Sequence, residues 1–175
     1  MPGARRGAPA SVHESALRSL ARRSLSQAEM AERLARRGFG EDEVRDEVRR
    51  LRRAGLLDDE ALARSLVEGF LRQGYGRRAL FARLRRRKLS RRVAEAALGA
   101  VAEEAAAGAL QRALARAVRR YPEWRTLPTE RRKMVRYLLT RGFQVSAVKD
   151  AMAARDGDDA DAADTFEPGD PQDLP

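Results

Sequence analysis

The stretch Ser26-Gln27-Ala28-Glu29-Met30-Ala31-Glu32-Arg33-Leu34-Ala35-Arg36-Arg37-Gly38-Phe39 decides how the chain is read. Met30 and Leu34 stand four apart, on one face of a helix. Ser26 and Glu29 match a capping box at the helix entrance. Gly38 falls where a helix end takes the left-handed conformation, and the large apolar Phe39 follows it. A second amphipathic segment then carries Val44, Val48 and Leu51. The scheme recurs twice. In the second copy Leu80 and Leu84 make the helix pair, Lys88-Leu89 the turn, Ser90 the N-cap, and Val93, Ala97 and Val101 the next face. In the third, Met134 and Leu138 precede Gly142-Phe143, with Val148 and Met152 beyond. A recurrence at roughly 50 residues is the mark of a helical repeat.

Between the copies lie further helical segments. One covers about residues 59–73, entered through Asp58-Asp59-Glu60, whose negative charges suit a helix N-terminus. Its apolar face is Leu62, Leu66, Val67 and Phe70, and Gly74-Tyr75-Gly76 ends it. Another covers about residues 105–120 and stops at Tyr121-Pro122, because proline cannot continue a helix. A first helix is expected near residues 14–23, around Leu17 and Leu20. The expected fold is all-α, an elongated array of three tandem three-helix repeats. Its divisions are a disordered N-terminus (1–12), repeats over 13–55, 56–103 and 104–155, and an acidic disordered tail (156–175).

Composition supports that class and removes several others. Of 175 residues, 43% are hydrophobic and 35% charged, which suits short helices that each keep one wet face. There is no isoleucine, and strand-like alternation is missing. The absence of cysteine removes disulfides, iron–sulfur clusters, cysteine zinc sites and cysteine nucleophiles. No apolar run is long enough for a membrane span, and no hydrophobic stretch follows Arg5-Arg6, so a cytoplasmic chain is expected. His13 reads as a solvated helix start, and Asp58-Asp59-Glu60 as caps rather than metal ligands. Gly74-Tyr75-Gly76 is no phosphate-cradling loop, and no serine has a base beside it. We expect no enzyme and no cofactor. Trp124 and Tyr121, on either side of Pro122, read as packing between repeats.

Charge is the stronger functional signal. The net charge is +10, although the tail carries only acids: Asp156, Asp158, Asp159, Asp161, Asp164, Glu167, Asp170 and Asp173. Arginine dominates, the three lysines being Lys88, Lys133 and Lys149. Residues 77–92 hold Arg77, Arg78, Arg83, Arg85, Arg86, Arg87, Lys88, Arg91 and Arg92, with no acid among them. Such a run repels itself unless a partner neutralises it, and guanidinium forks suit carboxylates and phosphates. Tyr75 and Phe81 are candidates to stack on bases, Tyr75 being the more exposed expectation beside its two glycines. These basic residues with Tyr75 form the candidate binding face. The acidic tail is a candidate intramolecular shield for it.

In order along the chain, Ser-x-x-Glu-Met-x-x-x-Leu-x-x-Arg-Gly-Phe (26–39), Gly55-Leu56-Leu57-Asp58-Asp59 followed by Ala63, Gly74-x-Gly76 before Leu84, and Arg141-Gly142-Phe143 before Val148 resemble the RecX family of RecA-recombinase modulators. The likeness covers about residues 15–153, and Leu-Leu-Asp-Asp is its most telling part. Lys88-Leu89 departs from it, standing where Gly-Phe or Gly-Ile is typical. The resemblance implies a curved array lodged in the groove of a RecA–DNA filament. There it contacts RecA protomers, lowers ATP hydrolysis and strand exchange, and promotes filament loss. The expected partner is the RecA filament, with single- or double-stranded DNA as a further partner, and the chain is expected to act as a monomer. The alternative is an independent DNA-binding helical protein acting through its arginine-rich face.

Overall fold

The computed structural model describes residues 11–164, with side chains up to Asp156. Among these residues the chain forms helices and no strand. In order they are α1 (Val12–Leu20), α2 (Gln27–Ala35), α3 (Glu41–Arg53), α4 (Asp59–Arg72), α5 (Arg77–Arg86), α6 (Arg91–Gly99), α7 (Glu103–Arg120), α8 (Pro128–Thr140) and α9 (Val145–Asp164). They form a repeat array, three helices to a repeat.

The repeat is physical as well as textual. Met30 and Leu34, Leu80 and Leu84, and Met134 and Leu138 are all buried. Behind each pair the chain turns by the same hydrogen bonds. Phe39, Leu89 and Phe143 donate their N–H to the carbonyls of Leu34, Leu84 and Leu138 at 3.4, 3.3 and 3.4 Å. Gly38, Lys88 and Gly142 donate to Ala35, Arg85 and Leu139, each at 2.9 Å. This closure satisfies the last helix carbonyls and needs a positive φ at its hinge residue. The three hinges have φ 89°, 56° and 87°. Leu89 and Phe143 then drop into the interior, at 0% and 8% exposure, and Phe39 is half-buried. Entrances are capped as well. Ser26 Oγ accepts the Glu29 N–H (3.1 Å) while Glu29 accepts the Ser26 N–H (3.0 Å), and Ser90 Oγ accepts the Val93 N–H (3.2 Å).

The chain divides into two compact units, and the division cuts across the repeats. One comprises Met1–Gly69 with Leu80–Val101, the other Phe70–Ala79 with Ala102–Pro175. In the first unit α1, α2 and α3 pack as a triangle around Ala16, Leu25, Met30, Leu34, Val44, Leu51 and Leu57. In the second, α7, α8 and α9 pack mutually around residues that include Leu114, Met134, Leu138 and Val148. The end of α4 and the start of α5 belong to this second unit. There the Gly76 and Arg78 N–H groups donate to the carbonyls of Arg141 (2.7 Å) and Gly142 (3.2 Å). Those carbonyls serve the first turn of α5, which has no acidic residue.

Three expectations change. α9 runs on to Asp164, so residues 156–164 belong to a helix rather than to a disordered tail. Ala160, Ala162 and Ala163, of the best helix-forming residue type, stand among the aspartates there. At the other end Ser11 caps α1, which starts at Val12. The remaining disorder expected at both ends falls on segments outside the described residues. His13 is not simply solvated. Because α1 packs on α3, its Nδ1 lies 2.7 Å from Oε1 of Glu47, whose side chain is only 4% exposed.

Candidate functional site

Residues 77–92 run through α5, its closing turn and the start of α6. Tyr75, Arg77 and Arg78 fall in the second unit, whereas residues 83–92 lie in the first. The run is therefore shared between two compact bodies.

In the first unit the expected self-repulsion is met from within. Arg87 sets its guanidinium fork on Glu29, Nε to Oε1 at 2.9 Å and Nη2 to Oε2 at 3.1 Å. It also donates to the Ser24 carbonyl at 2.8 Å. The Glu29 side chain is only 11% exposed and also pairs with Arg23 at 3.3 Å. Burial pushes its carboxyl up, but the Arg87 fork, the Ser26 N–H and the nearby positive charges outweigh that and hold it below the usual range. Lys88 donates to Glu32, and this bond, helped by Arg36, likewise lowers the Glu32 carboxyl. Arg85, exposed, donates to the carbonyl of Leu89. Arg91 pairs with Glu95 at 2.7 Å along α6, and Arg92 with Glu60 at 3.4 Å, all four side chains being well exposed. The run lacks acids in sequence but not in space.

What remains for an external ligand is a subset. Arg86 is exposed and has no partner among the described residues. Arg91 and Arg92 sit in exposed pairs of the kind that contribute little and exchange readily. Arg83 is half-buried. Arg78 is exposed, its backbone engaged with Gly142. Arg77 is exposed but, like Arg83, is engaged within the chain. Tyr75 is less open than expected. It is half-buried, edge-on to Phe70 with centroids 6.0 Å apart, and the Arg141 guanidinium lies 4.7 Å from its ring centroid. Phe81 is half-buried too.

Apart from Glu95, which stands at i+4 from Arg91, the acids that quiet the run were missed in sequence because no periodicity links them to it. Glu29 is 58 residues from Arg87. The Leu56-Leu57-Asp58-Asp59 stretch proves structural in the same way. Leu57 is 1% exposed. Asp58 accepts the Glu60 and Ala61 N–H groups at 2.9 Å each, which lowers its carboxyl. Asp59 accepts the Gln27 N–H at 2.9 Å, joining the start of α4 to the start of α2. Burial raises the Asp59 carboxyl despite that bond. Trp124 is 1% exposed, with Arg125 and Arg131 guanidiniums 4.9 and 5.6 Å from its ring. Among the described residues no group of three metal-ligating side chains occurs, and no helix is long and apolar enough to cross a membrane.

Three-helix folds with these turns have relatives. Residues 13–51 match the family model for the first three-helix domain of RecX, and residues 58–98 that for the second. The chain is 36% identical to the regulatory protein RecX of Halorhodospira halophila over 85% of its own length and 90% of the relative's. The chain belongs to the RecX family. The RecX of Chromohalobacter salexigens is 35% identical, with 82% of this chain and 92% of that one covered. The crystal structure of RecX from Lactobacillus salivarius shares the fold with a TM-score of 0.72 at 19% identity, covering 83% of this chain and 94% of that one. Within the RecX fold, then, the departure at Lys88 is a local one. A lysine occupies a hinge that glycine fills in the other two repeats, and its backbone takes the same left-handed turn.

Proposed function

We propose that this RecX-family chain regulates RecA, mainly as an inhibitor, by binding the RecA–DNA filament and lowering its ATP hydrolysis, strand exchange and persistence. Family membership carries this reading, and the array of wet-faced helices supports it by offering binding surface rather than a reaction centre. On the same reading the chain is a cytoplasmic monomer without catalytic activity, its repeats spanning residues 13–55, 56–103 and 104–155. Its grip falls to the arginine-rich face, narrowed to Arg86, Arg91 and Arg92 in the first unit. Arg87 and Lys88 act within the chain.

The deciding experiment measures ATP turnover by RecA on single-stranded DNA as the purified chain is added. Turnover falls at substoichiometric to stoichiometric ratios. Unaltered turnover at every ratio refutes the reading. The triple variant R86Q/R91Q/R92Q, folded by circular dichroism, weakens the inhibition.

A second reading, independent DNA binding through the same face, is favoured by one observation. Arg86 is an exposed guanidinium without a carboxylate partner among the described residues. On this reading the triple variant also loses affinity for bare DNA and shows a shallower salt dependence. If only RecA inhibition is lost, that face meets protein.

A further inference from the structure

A second convergence of guanidiniums lies wholly within the other compact unit, at the C-terminal end of α4. Arg112 donates to the Leu71 carbonyl through Nη2 at 3.2 Å and Nε at 3.4 Å. Arg141 Nη1 donates to the Gln73 carbonyl at 2.8 Å and reaches that of Gly74 at 3.4 Å. Arg116 Nη1 donates to the same Gln73 carbonyl. Two cations thus share one neutral acceptor oxygen, with a third two residues upstream.

Capping a helix end does not account for three of them. The C-terminus of a helix carries roughly half a negative charge, against three full positive ones. The acids with described side chains in this unit are Glu103, Glu104, Glu123, Glu130, Asp150 and Asp156. Glu130 is held by Lys133, and Asp156 by Arg125 and Arg131. Among the described residues, none pairs with Arg112, Arg116 or Arg141. Each guanidinium has five N–H donors, of which the carbonyls engage one or two. The contrast with Arg87, whose fork is spent on Glu29, is direct.

The site is also held in place. The Arg141 guanidinium lies between two rings, 4.7 Å from the centroid of Tyr75 and 4.9 Å from that of Tyr137. Tyr137 is steadied edge-on by Tyr121, centroids 6.2 Å apart. Arg112 and Arg116 are exposed, and Arg119 continues their row at i+7 along α7.

We propose that Arg112, Arg116 and Arg141 form a phosphate-binding site for a nucleic-acid backbone that runs along α7, with Arg119 as the next contact. A row of cations fixed beside tyrosines suits a regularly charged polyanion with stacking bases. This goes beyond the RecA reading and beyond residues 77–92.

The test is fluorescence anisotropy of a labelled oligo-dT with the full chain, at several salt concentrations and without RecA. The variant R112Q/R116Q leaves the stacked Arg141 in place, and circular dichroism verifies its fold. Its affinity at low salt falls about tenfold or more, and its salt slope shrinks by about 1–1.5, the share of two single-strand phosphates. R112K/R116K keeps most of that slope. Unchanged affinity and slope in folded R112Q/R116Q overturn the proposal. So does displacement of the oligonucleotide by polyglutamate as readily as by unlabelled oligo-dT, because the site would then read protein carboxylates. RecA is absent from the assay, so a failure here leaves the filament reading standing, and a failure of the ATPase assay leaves this site standing.

Discussion

Gly38 and Gly142 occupy the same place in an Arg-Gly-Phe turn, and sequence cannot tell them apart. Their surroundings differ. A Cβ on Gly38 meets nothing within 4 Å, so Gly38→Ala carries only the strain of φ +89°, about 1 kcal/mol. A Cβ on Gly142 would stand 2.3 Å from the backbone N and 2.7 Å from the Cβ of Ala79. Backbone must then move, and Gly142→Ala should cost at least about 3 kcal/mol. Paired urea denaturation curves check this, and equal losses would refute it. Lys88 poses the complementary case, being the non-glycine residue with positive φ among those described. Its pair with Glu32 is an exposed one and returns little, whereas its backbone costs about 1 kcal/mol. Thermal midpoints should therefore rank Lys88→Gly at or above the parent and Lys88→Ala below it.

At the scale of the helix, caps were legible and their further duties were not. Ser26 and Glu29 announce the start of α2 from sequence alone. That Glu29 also receives the fork of Arg87 depends on the α5–α6 turn arriving beside α2. Glu29 and Glu32 have carboxyls held below their ordinary value of 4.5 in the folded chain. Their contribution is therefore complete above that value and is lost as pH falls through the lowered folded values. Asp59 runs the other way, since burial raises it from 3.8 and folding then favours its neutral form. Equilibrium unfolding followed from pH 7 to pH 3 should show stability falling at the acid end, with a weaker fall in Glu29→Gln. At pH 7 that variant should already be about 2 kcal/mol less stable, because its charge-assisted bonds to Arg87 are weakened. Asp59→Asn keeps an acceptor for the Gln27 N–H and removes a partly buried charge, so it should match or exceed the parent at pH 7. Asp59→Leu strands that N–H and should lose about 1–2 kcal/mol. A less stable Asp59→Asn would show that its charge is needed.

Across the whole chain, repeat boundaries and compact bodies do not coincide. A fragment beginning at Glu103 keeps α7, α8 and α9 but loses Gly76 and Arg78, which bond to Arg141 and Gly142, and Ala79, which packs on Gly142. It should melt with less cooperativity than a fragment beginning at Asp59, measured by circular dichroism and amide proton dispersion. Equal cooperativity would show that residues 70–79 are dispensable to that unit. By itself the sequence determined the helical class, the threefold recurrence of Met/Leu pair, hinge and apolar residue, most caps, and the family. Each is written in local spacing, since residues three or four apart share a helix face wherever the helix goes. Only the tertiary structure decided which charges cancel. Residues 77–92 look unrelieved in sequence yet meet Glu29, Glu32 and Glu60 in space. Arg112, Arg116 and Arg141 look unremarkable yet meet one another around the carbonyls of Leu71 and Gln73. Coulomb interaction depends on distance through the fold, and spacing along the chain does not report it. Part of the arginine run that drew attention first, Arg87 and Lys88, is therefore a fastening, and Arg112, Arg116 and Arg141 outside it meet carbonyls without a carboxylate among the described residues.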